Sequence, residues 1–217
     1  MSKRLARSVK TTYDQDHMIV LPIPFDRLPA AAQRIMTLAQ DAALFRQDDT
    51  STGIFWVRSG SVRLVRHTVS GIAVPLHTAR TGGTIAEASL FSDSYHCDCV
   101  ALEKTEAVWL SRAAILDRMA QDSDFGQALM ARLAGQVQQH RRQIEILSIR
   151  SAQDRIEAAL ADGWLDGSIT RFAEMIGLTR EATYRALSVL VRSGRARKTG
   201  RGRYTSVGES SSAPRSF

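Results

Sequence analysis

Two arginines and a glutamate lie close together near residue 180, and their types suit contact with DNA bases. They are Arg180, Glu181 and Arg185, and Thr179 and Thr183 belong to the same short stretch. An arginine can donate two hydrogen bonds to guanine, and a glutamate can accept one from the amino group of cytosine. The pattern therefore predicts that this segment contacts base edges.

A helix, a glycine turn and a second helix would position these side chains. Residues 168–179 predict a helix, a glycine turn and the start of a second helix, with Thr170 as the N-cap of the first helix and Gly177 in the positive-φ conformation that the turn needs. Thr179 would cap the second helix. In a helix-turn-helix, the N-terminal part of the second helix enters the major groove. The run 196–207 predicts a β-hairpin after it, which would be the wing.

The C-terminal part of the sequence carries charge of one sign. Residues 182–208 include seven basic residues and no acidic one, and the whole chain has a net charge of +7. Such a block binds a polyanion by releasing its counterions, and a solvated basic tail is the alternative. Phosphate contacts position a protein without specifying sequence. The residues suited to them are Thr170, Arg171, Arg197, Lys198, Arg201 and Arg203.

The middle of the chain has the clearest helical periodicity. Six residues recur at alternating spacings of 3 and 4, as do the a and d positions of a coiled coil; they are Met130, Leu133, Val137, His140, Ile144 and Leu147. The alternative is an amphipathic helix that packs on its own core. The narrow stripe and its polar flanks favour pairing with a second copy of the chain. His140 is then a polar residue that sets the register rather than a metal ligand.

Short β-rich runs separated by turn residues fill the first half of the chain, as at residues 54–57, 62–66 and 107–110. This spacing predicts an antiparallel barrel or sandwich. Ahead of them, residues 30–45 predict a short amphipathic helical stretch. No apolar run approaches the length of a membrane helix, and the basic N-terminus lacks the apolar stretch of a secretory signal. We therefore expect a cytoplasmic protein with no membrane partner.

Two cysteines and a histidine lie within four residues and could bind a metal. They are His96, Cys97 and Cys99, and two thiolates with an imidazole suit copper(I) or zinc. A disulfide between cysteines this close would be strained. On a strand both thiols face the same side, which permits shared ligation and also shared burial. The sequence leaves three alternatives open, namely metal binding, a thiol redox switch and structural cysteines that only pack.

Three segments resemble the cyclic-AMP receptor protein / fumarate-nitrate-reductase regulator (CRP/FNR) superfamily, across roughly residues 25–207. Residues 45–64 resemble the opening of the family's β-roll, and residues 83–91 resemble its Gly-Glu-Leu segment. Residues 169–187 resemble its DNA-binding motif, and within them residues 179–185 match the pattern Ser-Arg-Glu-x-x-x-Arg. This last motif is the most specific of the three.

The resemblance implies an α+β fold with an N-terminal double-stranded β-helix (a cupin-like β-roll), a long dimerisation helix and a C-terminal winged helix-turn-helix. The predicted boundaries are 1–24 for an N-terminal extension, 25–112 for the β-roll sensor domain, 113–148 for the dimerisation helix, 149–208 for the DNA-binding domain and 209–217 for a disordered tail. It also implies a homodimer that regulates transcription rather than an enzyme. Its partners would be RNA polymerase and a palindromic promoter site with half-sites that resemble TGTGA or TTGAT.

The resemblance also bears on the effector. Nucleotide-binding members hold the cyclic phosphate with an Arg-Ser or Arg-Thr pair and the ribose with a glutamate. Glu87 matches the glutamate, but Cys97 and Asp98 stand at the phosphate positions, where an anionic Asp98 would repel a phosphate. We therefore do not expect cyclic AMP, and the N-terminal cysteines of the iron-sulfur members are missing. The effector remains unknown, and its candidate residues are Glu87, His96, Cys97 and Cys99.

Three other interpretations compete with a sensor that binds a metal or responds to redox state. One is a cyclic-nucleotide-type or effector-independent regulator with structural cysteines. A cupin-like metal enzyme would need spaced histidine motifs with a carboxylate, and the sequence has no His-x-His. A signalling subunit that binds only a nucleotide would have no use for the basic helix and hairpin.

Overall fold

The chain forms two compact units, Met1–Ala131 and Arg132–Phe217. The computed structural model describes residues 10–12, 19–68, 70–165 and 167–207. Within that described part, no helix combines the length and the hydropathy that crossing a membrane requires.

Strands dominate the first unit and form two antiparallel sheets. The larger sheet has the strand order β1-β2-β9-β4-β7 and the smaller one β3-β8-β5-β6. The strands are β1 Lys10–Thr12, β2 Gln33–Leu38, β3 Ala43–Phe45, β4 Gly53–Ser59, β5 Ser61–His67, β6 Ala73–Arg80, β7 Thr84–Ile85, β8 Asp98–Ala101 and β9 Thr105–Ser111. Apolar side chains from both sheets, among them Phe55, Val62 and Ala107, share one buried cluster. The predicted antiparallel barrel or sandwich is thereby confirmed.

The helical stretch predicted over residues 30–45 is wrong. Only Ala30–Ala32 is helical, as a single 3-10 turn, and the chain then continues as β2 and β3. All six residues of β2 pair with β9, from Gln33 opposite Leu110 to Leu38 opposite Thr105. This pairing outweighs the high helix propensity of the alanines, because tertiary contacts routinely override propensity.

The predicted N-terminal extension is not wholly separate from the sheet. Lys10, Thr11 and Thr12 pair antiparallel with Thr37, Met36 and Ile35. The strand β1 therefore adds an edge to the larger sheet. The predicted disordered tail, 209–217, lies outside the described residues.

The helix predicted over residues 113–148 is two helices, α1 Arg112–Gln121 and α2 Ser123–Ser148. Asp122 separates them, because one of its carboxylate oxygens accepts the Phe125 N–H at 3.1 Å and so caps α2. The same carboxylate pairs with Arg27 and Arg118, each at 3.2 Å. The hydrogen bond from Phe125 is the main reason that the pKa of Asp122 lies below its usual value.

Three helices and a hairpin form most of the second unit. They are α3 Ala152–Ala161, α4 Ile169–Met175, α5 Arg180–Arg192, β10 Ala196–Gly200 and β11 Arg203–Ser206. The core of this unit combines residues from α3, α4 and α5, including Ile156, Phe172 and Leu187, with Ile146 near the end of α2. The antiparallel pairing of β10 with β11 confirms the predicted hairpin.

Candidate nucleic-acid interface

The helix α5 has one buried face and one exposed face. Thr183, Ala186, Leu187 and Leu190 are buried, at the 3- and 4-residue spacings of a helix that packs on a core. The opposite face is exposed from the first turn onward and carries Arg180, Glu181, Tyr184, Arg185 and Ser188. The three charged residues predicted to contact bases therefore lie together on the accessible side of the helix.

Thr179 and Thr183 hold the start of α5 in place. The Thr179 hydroxyl oxygen accepts the Ala182 N–H at 3.1 Å, which confirms the predicted N-cap. The Thr183 hydroxyl donates to the Thr179 carbonyl at 2.9 Å, and Thr183 has no exposed surface. The prediction that Thr183 contacts bases is therefore wrong, because burial and this hydrogen bond turn its side chain into the protein.

Tyr184, and not Thr183, lies on the exposed face of α5, and it was not among the residues predicted to contact DNA. The guanidinium carbon of Arg180 lies 5.7 Å from the centre of the Tyr184 ring, within the range of a cation–π contact. Counting four residues from Arg180 along a helix of 3.6 residues per turn would have found it. The phenol adds an apolar ring and a hydroxyl to a surface that is otherwise charged.

The turn between α4 and α5 is built from hydrogen bonds to backbone carbonyls. Gly177 has φ +64°, as predicted. Arg155 donates to the Ile176 carbonyl at 3.1 Å and, through two nitrogens, to the Ile149 carbonyl at 2.9 and 2.6 Å. One guanidinium therefore ties the turn to the segment ahead of α3.

Ser168, and not Thr170, caps α4. The Ser168 hydroxyl accepts the Arg171 N–H at 3.3 Å, and Thr170 lies within the first turn. The predicted N-cap was wrong by two residues, because the helix begins at Ile169 and not at Arg171, as an N-cap at Thr170 requires. Thr170 is exposed and Arg171 half-buried.

The hairpin presents basic side chains to solvent and is tied to α3 at its base. The exposed ones are Arg197, Lys198, Arg201 and Arg203. Arg195, which precedes β10, donates to Asp154 at 2.6 Å and also pairs with Glu157. The hydrogen bond to Glu157, followed by that to Asp154, keeps the pKa of Arg195 above its usual value. Arg195 therefore acts within the fold, and the other four cations face outward.

The stripe predicted along α2 is largely open to solvent in the single chain. We call its six residues the α2 seam: Met130, Leu133, Val137, His140, Ile144 and Leu147. Ile144 is 65% exposed and Val137 47% exposed, whereas Ile146 on another face of the helix is completely buried. The helix therefore packs on the core through one face and exposes apolar side chains on another.

The cysteines of the first unit are buried and do not converge on a metal site. Cys99 is fully inaccessible and lies opposite Leu64 in the smaller sheet, and Cys97 is also buried. Burial raises the pKa of both thiols, which disfavours the reactive thiolate. His96 is exposed, and no three His, Cys, Asp or Glu side chains of the described residues are placed to hold a metal ion.

Effector or metal binding through His96, Cys97, Cys99 and Glu87 therefore stays a prediction, and within the described residues no three such ligands come together. The geometry favours the alternative in which the cysteines pack in the roll. Glu87 begins the 3-10 helix Glu87–Phe91, and its carboxylate accepts a hydrogen bond from the Thr84 hydroxyl.

Asp98 is held by two donors within the smaller sheet. Its two oxygens accept the Arg46 guanidinium N–H and the Gln47 backbone N–H, each at 2.8 Å. The His67 ring nitrogen lies 3.8 Å away. Burial alone would raise the pKa of this carboxyl, but the hydrogen bonds from Gln47 and Arg46 bring it below its usual value. Asp98 is thus a bound carboxylate at the position where the resemblance places a phosphate.

Comparison with known proteins shows what the sheets and helices resemble. The cyclic nucleotide-binding domain family matches residues 35–122. The cyclic AMP receptor protein of Thermus thermophilus is 28% identical over 163 residues, which cover 71% of this chain and 76% of that protein. These similarities confirm the predicted resemblance to the CRP/FNR superfamily.

Two solved structures of low sequence identity share the fold of this chain over most of its length. FixK2 from Bradyrhizobium japonicum has a TM-score of 0.62 at 20% identity, covering 81% of this chain and 93% of its own. The global regulator CLP from Xanthomonas campestris, described as responsive to c-di-GMP, has a TM-score of 0.54 at 20% identity, covering 82% and 96%.

Asp98 should stabilise the first unit through its hydrogen bonds to Arg46 and Gln47. We expect Asp98→Asn to lower the free energy of unfolding by about 1–3 kcal/mol, the range for a buried hydrogen bond to a charged group. The folded-state pKa is depressed, so this stability is present above the unfolded value, about 3.9, and disappears as the pH falls through the lower folded value. Urea unfolding at pH 7 and at successively lower pH measures both effects.

Asp117→Asn is the matched control for D98N, since Asp117 is an exposed carboxylate on α1. It should change unfolding little at any pH. Equal stabilities of wild type and D98N at pH 7, or a difference that persists unchanged in acid, would contradict the assignment.

Proposed function

We propose that this protein is a homodimeric transcription regulator that binds specific DNA sequences through a winged helix-turn-helix. The helices α4 and α5 would be the helix-turn-helix, and β10 with β11 would be the wing. The observation that carries the proposal is the exposed face of α5, where Arg180, Glu181 and Arg185 lie beside one another while the opposite face fills the core.

On DNA, the N-terminal half of α5 would enter the major groove. Arg180 and Arg185 can each donate two hydrogen bonds to a guanine, and Glu181 can accept one from a cytosine amino group. Thr179, as N-cap, brings the positive end of the helix dipole and its exposed side chain toward the duplex. Tyr184 would add contacts through its ring, for example with a thymine methyl group.

Basic and polar side chains outside α5 would contact phosphates. Arg197, Lys198, Arg201 and Arg203 extend along the hairpin, and Thr170 and Arg171 stand at the start of α4. These contacts fix where α5 lies along the groove and supply binding that is independent of sequence. A solvated tail would not be hydrogen-bonded into an antiparallel pair, as this basic segment is.

Two copies of the chain would pair through the α2 seam. A dimer with two α5 helices matches a palindromic site whose half-sites lie about one duplex turn apart. We expect half-sites similar to TTGAT or TGTGA, in promoters that RNA polymerase also occupies in the cytoplasm. Burial of the α2 seam between two copies would remove its exposed apolar side chains from water.

The β-roll would bind the effector that regulates DNA binding. Asp98 makes a cyclic phosphate a poor ligand at its family position, because the carboxylate is anionic and already bound by Arg46 and Gln47. Because both thiols are buried, the roll would respond to a ligand that does not need an accessible thiolate.

Selection from a pool of random duplexes tests the proposal. Wild-type protein should enrich a palindrome, and the double variant Arg180→Ala/Arg185→Ala should enrich no common site. Arg192→Ala removes an exposed cation from the last turn of α5, so it should enrich the same palindrome as wild type. Failure of the folded wild-type protein to enrich any sequence would refute the proposal.

A further inference from the structure

A cavity of about 380 Å³ opens in the first unit, within the size range of small-molecule sites. Its floor is made of buried side chains that include Phe45, Phe55 and Tyr95, and its rim is exposed and polar. An apolar floor below a polar rim suits a ligand with one apolar end and one polar end. Neither Glu87 nor Asp98 lines this cavity, so it differs from the position where a nucleotide would be expected.

One wall of the cavity is a pair of stacked rings held by hydrogen bonds. The Phe45 and Tyr95 ring centres are 4.0 Å apart, and the ring planes are 18° from parallel. The Tyr95 hydroxyl donates to the Gly53 carbonyl at 2.8 Å and accepts the Gly53 N–H at 3.3 Å. Tyr95 therefore cannot swing into the cavity without breaking buried hydrogen bonds.

Trp109, another aromatic side chain that lines the cavity, packs closely against the same glycine. The Trp109 indole N–H donates to the Thr52 hydroxyl at 3.2 Å. A Cβ atom on Gly53 would lie 2.6 Å from that indole nitrogen and 2.2 Å from the Leu110 carbonyl oxygen, so no larger residue fits there. Side chains chosen only for packing would fill this volume. Here the glycine and the hydrogen bonds of Tyr95 and Trp109 fix the positions of aromatic side chains that line the cavity.

Arg34 supplies the positive charge at the rim of the cavity. Its guanidinium carbon lies 5.2 Å from the centre of the Trp109 ring, and it is the one cation among the described residues that line the cavity. Asp49 also lies at the rim, and one of its carboxylate oxygens accepts the backbone N–H of Arg46 at 2.7 Å. A ligand carboxylate could pair with Arg34 as a charge-assisted hydrogen-bond acceptor.

We propose that this cavity binds a small planar aromatic carboxylate, with its ring against Tyr95, Phe45 and Trp109 and its carboxylate on Arg34. The ligand gains aromatic contacts at the floor, and its charge stays at the wet rim, where desolvation costs least. Because the walls are preformed, little conformational entropy is lost on binding.

Isothermal titration calorimetry of the full chain, without DNA, tests this site independently of the proposed function. The ligands are phenylacetate and indole-3-acetate, each compared with its neutral amide, and the non-planar acid cyclohexylacetate. We expect at least one aromatic acid to bind at least tenfold more tightly than its amide and than cyclohexylacetate. Arg34→Gln should abolish the preference for acid over amide, and Arg58→Gln, on β4 but outside the cavity, should keep it.

The site assignment fails if neither aromatic acid binds wild-type protein, if acid and amide bind equally, or if Arg34→Gln leaves the preference intact. Equal binding of cyclohexylacetate would show that the aromatic walls do not select planar rings, and this outcome also overturns the proposal. Far-UV circular dichroism of each variant confirms that the roll is folded.

Discussion

Replacing Ile144 with glutamate should convert the protein to a monomer that binds its DNA site weakly. Burial of an isoleucine side chain contributes about 1.5–3 kcal/mol, and a symmetric seam contains two of them, so about 3–6 kcal/mol is lost. At about 1.4 kcal/mol per tenfold change, the dimer dissociation constant rises by two to four orders of magnitude. Sedimentation velocity over a concentration series measures the change, and a gel shift on the selected palindrome measures its effect on DNA binding.

The variant should fold normally, since Ile144 is exposed in the single chain and a glutamate there meets water. Gln139→Glu introduces the same charge on the same helix outside the α2 seam and should leave the dimer intact. A dimer of unchanged stability in I144E would show that the helix pairs through other residues or not at all.

Arg180→Ala should lower affinity for the selected site by about 1–3 kcal/mol and relax the base preference at one position of each half-site. Affinity for unrelated duplexes should change much less, because the hydrogen bonds that the variant cannot make go to bases. A binding titration against the palindrome and its single-base variants measures the change. Arg192→Ala serves as the control for removal of one positive charge from the same helix.

Arg201→Ala should show the opposite behaviour, since Arg201 is placed to reach phosphate. Binding to all duplexes should weaken, and the slope of log affinity against log salt should fall by about 1 for each phosphate that the variant no longer neutralises. If R201A instead altered sequence preference while R180A weakened all sequences equally, the roles assigned to α5 and the hairpin would be reversed.

Local signals in the sequence predicted the second unit well. The N-cap at Thr179, the positive φ at Gly177 and the hairpin after α5 all depend on residues that act within a few positions of one another. Strand patterns were equally informative where apolar residues and turns alternate. These features follow from backbone chemistry that needs no distant partner.

Except for the N-cap of α4, which is Ser168 and not Thr170, the errors arose where distant residues decide the structure. Residues 30–45 became strand because β9 pairs with β2, although the two segments are about 70 residues apart in the chain. The long helix breaks at Asp122, whose side chain also binds Arg27. Thr183 faces the core because of how α5 packs, and periodicity within α5 would have identified Tyr184 instead. The aromatic cavity depends on Gly53 lying beneath Trp109, which no local pattern reveals.

Arg195 has a consequence for the layout of a DNA site. Arg195 joins the base of the hairpin to Asp154 and Glu157, so the hairpin and the three helices should move as one body. The distance along the duplex between the bases that α5 contacts and the phosphates that the hairpin contacts should therefore be constant. An extra base pair inserted between the bases that α5 contacts and the flanking phosphates could not be absorbed by bending the hairpin. Each half-site would therefore need a strict internal length, even where its bases are not contacted.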